Sequence, residues 1–261
     1  MAMALPVVLV HGGGHGAWCW GPMVGHLRAP VLAVDLPPKA VRGGPDRFAD
    51  LPELRTLTVA DFAASVLVDV DAAGFDRFVL VGHSLAGVTI PEVARRAPER
   101  VAHLVFLSCT IPAEGGSTLD RLHDDLAAMA REQVDRAMTT PATGERGAAP
   151  LPDDVLRQMF GTDLDDTAMQ LVLDRFGTEV IGVIDEKVSR AGLSSGIPKT
   201  WIRLLRDTAL SVADQDTSIE HLEASPGGTV TVVDLDTGHN AMLSRPAEVA
   251  AIVDGIATAA S

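Results

Sequence analysis

Arg77-Phe78-Val79-Leu80-Val81-Gly82-His83-Ser84-Leu85-Ala86-Gly87 decides the fold. An apolar run of strand-forming residues stops at a glycine, and a serine stands where the helical pattern of Leu85 to Arg96 begins. A strand that turns this sharply into a helix needs small residues on both sides of the corner, because the turn is strained and the two backbones approach closely. Gly82 and the Ala86-Gly87 pair meet that need, although Ala86 carries one methyl group more than the strict G-x-S-x-G pattern allows.

Outward from this corner, short β-branched runs alternate with longer amphipathic ones, the pattern of parallel strands joined by crossover helices. Strands are expected at Val7 to Val10, Val31 to Val34, Phe78 to Val81 and Leu104 to Leu107. Helices are expected at Trp18 to Leu27, at Val59 to Ala73 behind an N-cap at Thr58, and at Leu85 to Arg96 before Pro98. From about Ile111 to Ile197 the strand pattern gives way to charged helical stretches and Gly/Pro-rich turns such as 140–144 and 149–152. Strand character returns at Thr200 to Leu205 and Thr229 to Leu235, and a last helix runs from Pro246 to Ala259. The expected fold is α/β, a mostly parallel sheet of about six strands flanked by helices. Residues 1–111 and 197–261 would form its core, and 112–196 an inserted helical cap over the carboxyl ends of the strands, where open α/β sheets bind ligands.

A serine hydroxyl attacks carbonyls only when a base takes its proton and a third group holds that base. Of the eight histidines, His239 in Thr237-Gly238-His239-Asn240 follows the last strand and would share a sheet edge with Ser84. His26, His103, His123 and His221 lie in helical or strand-start contexts, and His11 and His83 flank turns that need them for shape; His15 also lies near the site. The orienting acid should follow the penultimate strand, which selects Asp207; Asp214 and Asp216 are rivals at the start of the next helix, and Asp236 is too close to His239 along the chain. Oxyanion donors would be the amide of Leu85 and that of Gly12 or Gly13 in the glycine-rich turn after the first strand. These residues predict covalent serine catalysis.

That glycine-rich turn also satisfies G-x-G-x-x-A, and Asp35 closes the next strand where a ribose-binding acid would stand, so a nucleotide-binding oxidoreductase is the rival from another class. It leaves Ser84 and His239 without a role. A ligand receptor on the same scaffold with little turnover is a third reading. The formal net charge of −14, from 21 basic and 35 acidic residues, opposes nucleic-acid and membrane partners. Cys19 and Cys109 are too few for a disulfide framework or metal cluster and are expected in the core. No apolar stretch reaches the length of a bilayer span, and Met1 to Pro6 lacks the basic region and cleavage site of a signal peptide, so the expectation is a cytoplasmic monomer or homodimer.

Val8-Leu9-Val10-His11-Gly12, His15-Gly16-Ala17-Trp18-Cys19-Trp20, the Ser84 corner and Gly238-His239-Asn240-Ala241-Met242-Leu243 together resemble one branch of the α/β-hydrolases. It holds plant methylesterases, hydroxynitrile lyases and bacterial esterases, and the likeness covers residues 5–111 and 199–260. The resemblance implies a triad on Ser84, Asp207 and His239, no metal or organic cofactor, and a helical cap lining the pocket. It also implies that a lyase would carry threonine and lysine where this chain has Gly12 and Asn240. Met129, Met138, Met159, Phe160, Met169 and Phe176 could present an apolar wall, so the expected substrate is a small, largely apolar carboxylic ester or lactone.

Overall fold

The computed structural model describes residues 4–122, 151–193, 196–225 and 228–261, with isolated positions between 128 and 139. His123, Met129, Met138 and the turn 140–144 lie outside the described residues. The strands are β1 (Val7–Val10), β2 (Val31–Val34), β3 (Phe78–Ser84), β4 (Val101–Cys109), β5 (Lys199–Leu204) and β6 (Thr231–Leu235). They form one sheet in the order β2-β1-β3-β4-β5-β6, and every neighbouring pair is parallel.

Successive side chains of a strand point to opposite faces, and both faces are covered, so β1, Phe78 to Val81 of β3 and Leu104 to Leu107 of β4 are apolar at every position. Val8, Val10, Leu80, Leu104 and Phe106 enter one core cluster, while Val7, Leu9, Val81, Val105 and Leu107 enter the cluster on the other face. The longer helices are α1 (Val59–Ala72), α2 (Ala86–Arg96), α3 (Asp153–Phe160), α4 (Asp166–Arg175), α5 (Val212–Glu223) and α6 (Pro246–Ala259). α1 starts where expected because Thr58 and Asp61 close a reciprocal capping box. α1 and α2 supply apolar side chains to the first cluster, and α6 supplies Val249, Ala250, Val253 and Ala257 to the second.

One helix differs from expectation. Trp18 to Leu27 is not continuous: a 3₁₀ turn over Ala17–Trp20 is followed by a short α-helix over Gly21–Val24. Gly21 and Pro22 at the junction, and Gly25 after it, are poor residues for extending a helix. Cys19 and Cys109 are free, buried thiols, and burial pushes both pKa values well up. No helix among the described residues is long and apolar enough to cross a membrane.

Candidate active site

Ser84 ends β3 with φ 53°, a left-handed conformation that a non-glycine residue adopts only where its surroundings hold it. The corner is affordable because Gly82 leaves room: a Cβ there would lie 3.1 Å from the Ala86 methyl and 3.0 Å from Ile90. Glycine at 82 therefore accommodates the extra methyl that Ala86 brings.

His239 follows β6 and Asp207 follows β5, so both loops open at the same sheet edge as Ser84. Ser84 Oγ lies 3.1 Å from His239 Nε2, and His239 Nδ1 lies 2.6 Å from Asp207 Oδ2. A carboxylate only accepts, so Nδ1 carries the proton and donates, which leaves Nε2 free to accept from the serine hydroxyl. Both side chains of the His239–Asp207 pair are almost completely buried. Burial alone would raise the Asp207 pKa, but the charge and hydrogen bond of His239, the Ser108 hydroxyl and the Leu210 amide outweigh it and hold the carboxyl below its ordinary value.

The acid rivals are engaged elsewhere. Asp214 accepts from Ser211 Oγ in the first turn of α5, Asp216 pairs with Arg203 at 2.6 Å, and Asp236 pairs with Arg206 at 3.0 Å. His103 meets Thr200, and His221 donates to the Ile111 carbonyl.

The glycine-rich turn is pinned through its peptide planes. The carbonyl of Gly12 accepts from His11 Nδ1 at 2.8 Å and from the His15 amide at 3.3 Å, which turns the Gly13 N–H of the same peptide to the opposite side. His15 Nδ1 donates to the Gly13 carbonyl, and the Gly14 amide donates to Glu179 Oε2, both at 2.8 Å. Gly13 and Leu85 are neighbours, with the notional Gly13 Cβ 3.4 Å from the Leu85 side chain. Among the described residues neither of their amides is used in a backbone bond of a turn or loop.

Three further histidines surround this centre as neutral rings. His83 Nε2 donates to the His239 carbonyl at 3.0 Å, and the two rings are 4.6 Å apart. Burial depresses the pKa of His11 and His83 well below the ordinary histidine value and brings His15 to about 4. Asp35, the residue a nucleotide reading would need, accepts the Ala17 amide at 2.7 Å and holds the turn together. The Gly14 amide that would meet a pyrophosphate is occupied by a carboxylate.

Sequence reading misses the contributions of residues 160–179. Glu179 pairs with Arg42 at 3.2 Å while it holds Gly14, and Gly177 donates to the Gly14 carbonyl. Asp163 accepts the Gly238 amide beside His239 at 3.1 Å and pairs with Arg206. Phe160 stacks on His239 with ring centroids 5.6 Å apart, and Phe176 meets the edge of His15 at 5.4 Å. Met169 is packed into the core cluster and Met159 lies against it. Nothing in sequence spacing links Glu179 or Asp163 to loops more than 70 residues away. Ser108, which donates to Asp207 Oδ2 at 2.6 Å, is also missed; its one signal is a polar residue at the carboxyl end of an apolar strand.

The fold and this edge of the sheet define an enzyme of the α/β-hydrolase class: the chain belongs to the alpha/beta hydrolase family, whose model matches residues 7–252, and to its plant methylesterase branch. It is similar to the "Probable esterase PIR7A" of Oryza sativa subsp. indica, 30% identical over 257 residues that cover 92% of each chain. It is also similar to "Methylesterase 9" of Arabidopsis thaliana, 37% identical over 109 residues, 40% of each chain. Among solved structures, an extracellular alpha/beta-hydrolase from a Paenibacillus species matches with a TM-score of 0.77 at 21% identity, covering 95% of this chain and 97% of that one. A pyrethroid hydrolase from Sphingobium faniae JZ-2 matches with a TM-score of 0.70 at 22% identity, covering 98% of each. At these identities the two structures speak for a common fold.

Proposed function

We propose that the protein is a serine esterase that cleaves a small, largely apolar carboxylic ester or lactone through an acyl-enzyme on Ser84, with His239 as general base and Asp207 as its orienting acid. The observation that carries this reading is the unbroken line from Ser84 Oγ through His239 to Asp207, at 3.1 and 2.6 Å, on a serine held at φ 53°.

In this reading Ser84 Oγ attacks the carbonyl carbon as its proton passes to His239 Nε2. The oxygen that becomes negative is met by the amides of Leu85 and Gly13, the latter supported over Gly12 by the way His11 and His15 hold the Gly12 carbonyl. His239 then protonates the leaving alkoxide. Water, deprotonated by the same nitrogen, attacks the acyl group and restores the serine. The neutral state of His15 and His83 favours the step, since charged rings there would repel the imidazolium.

Apolar acyl or alcohol groups are favoured because Phe160 and Phe176 supply the aromatic surface beside His239 and His15. We take residues 112–196 as the cap and the net charge of −14 as unfavourable for nucleic-acid or anionic-membrane partners. The test is a panel of p-nitrophenyl esters, methyl esters and lactones with wild type and Ser84→Ala. The expected result is turnover of short apolar esters that falls roughly 10³-fold or more in the variant. Near wild-type turnover by a folded Ser84→Ala protein would reject the reading.

A further inference from the structure

The strand that neighbours the serine corner carries an irregularity of its own. Along β3 and β4 the register pairs His83 with Leu107 and then Ser84 with Cys109, so Ser108 is an extra residue with no partner across the ladder. Its φ is 41°, the only other left-handed non-glycine residue among those described besides Ser84. Bulges of this kind re-aim a side chain, and they gather next to active sites. Here the fully buried Ser108 sends its hydroxyl to Asp207 Oδ2 at 2.6 Å, the same oxygen that receives His239 Nδ1–H at 2.6 Å. Asp207 Oδ1 accepts the amides of Ala209 and Leu210, both at 2.8 Å, so the carboxylate holds four donors.

We infer that Ser108 is a positioning residue of the triad: its hydroxyl fixes Asp207 Oδ2 toward His239 and, by sharing that oxygen, tempers the carboxylate's pull on the imidazolium. The inference rests on the esterase reading above. A backbone amide would hold the carboxylate equally well; a hydroxyl on a bulge adds a donor at the one oxygen that faces the base. Charge withdrawn from Oδ2 weakens its attraction for a positive ring, and losing the hydroxyl strengthens it.

The other titratable or charged groups around His239 are accounted for among the described residues. His83 faces it from β3, and His15 faces it from the turn after β1, both kept neutral by burial. Asp163 approaches from the segment after α3 through the Gly238 amide and is paired with Arg206 from the loop after β5. None of them touches Ser108 through a hydrogen bond, so a Ser108 variant leaves them in place.

The experiment compares kcat and KM for p-nitrophenyl acetate from pH 4.5 to 9 in wild type, Ser108→Ala, Ser108→Gly and Ser84→Ala. Alanine removes the hydroxyl and keeps the left-handed backbone under strain, whereas glycine removes the hydroxyl and relieves the strain. The expected result is the same in both: the acid limb of kcat/KM moves up by roughly half to one pH unit, and plateau kcat falls about 3- to 10-fold with KM little changed. An acid limb that stays at the wild-type position in folded Ser108→Gly overturns the role of Ser108, whatever happens to the alanine variant. Activity retained by Ser84→Ala would instead bring down the esterase reading itself, so the two failures are distinguishable.

Discussion

Gly12 lies directly behind Ser84: a Cβ on Gly12 would stand 2.7 Å from Ser84 Cβ and 3.0 Å from the His83 carbonyl oxygen. The register of β1 with β3, which pairs Val10 with Gly82, carries the two chains forward so that residue 12 meets residue 84. The turn that presents the Gly13 amide and the corner that presents the hydroxyl are therefore in contact, and each sets the position of the other.

Gly12→Ala should separate them. The added methyl meets Ser84 Cβ, the His83 carbonyl and the His83 ring, and the first two cannot swing aside like the end of a flexible side chain. Overpacking of this kind costs about 1 to 3 kcal/mol. A displacement of about 1 Å at the reacting atoms lowers kcat on the order of 10²-fold. Thermal melts and ester turnover of the purified variant check both; wild-type kcat in Gly12→Ala would mean that the turn can retreat without moving the serine or the amide.

The acid assignment has its own test. Asp207→Asn puts an amide where His239 Nδ1 now donates at 2.6 Å, and the amide nitrogen can select the wrong imidazole tautomer. Turnover should fall by a factor of about 10³ or more. Asp214→Asn and Asp216→Asn should leave kcat within about threefold, because Asp214 accepts from Ser211 Oγ in the first turn of α5 and Asp216 pairs with Arg203. The opposite pattern would move the acid.

Buried neutral histidines give the fold a pH dependence whose sign is fixed. Burial, with the Arg42 charge next in weight, depresses His11; burial and the His239 charge depress His83; burial brings His15 to about 4. In the unfolded chain each takes a proton near pH 6.5. The unfolded state therefore binds more protons below that pH, and stability, complete above about 6.5, declines as pH falls toward 4. His15 alone accounts for on the order of 3 kcal/mol over that window. Urea unfolding midpoints at pH 7.5, 6 and 5 should fall in that order, and a midpoint constant between 7.5 and 5 would show that these rings titrate normally.

Strands and the serine corner are legible in the sequence because each signal is local. Short continuous apolar runs mark β1, β3 and β4, and Gly82 with Ala86-Gly87 marks the corner. Ser84, Asp207 and His239 are legible for a related reason: each ends or follows a strand, and parallel topology sends those ends to one edge. Ser108 is hidden because a bulge is a relation between two strands, seen only in the shift from His83–Leu107 to Ser84–Cys109. Arg42 with Glu179, and Asp163 with Gly238, are hidden because their partners lie far apart in the chain and meet only through tertiary packing. The break in the Trp18 to Leu27 helix follows from glycine and proline that its apolar pattern outweighed.

The choice between ester cleavage and cyanohydrin cleavage turns on two positions. A lyase of the resembling branch would use a threonine hydroxyl after the first histidine and a lysine after the catalytic one. Position 12 has no space for a threonine, since even its Cβ would collide with Ser84. Position 240 holds a buried, neutral asparagine beside His15, which brings no cation for departing cyanide. The line from Ser84 through His239 to Asp207 stands without either group, and attack on an ester carbonyl needs neither. The expected outcome is therefore turnover of small aryl esters with no benzaldehyde from mandelonitrile beyond the spontaneous rate. Benzaldehyde release that Ser84→Ala abolishes, in a protein with no esterase activity, would sink the hydrolase reading and show that this site handles a leaving cyanide by means other than threonine and lysine.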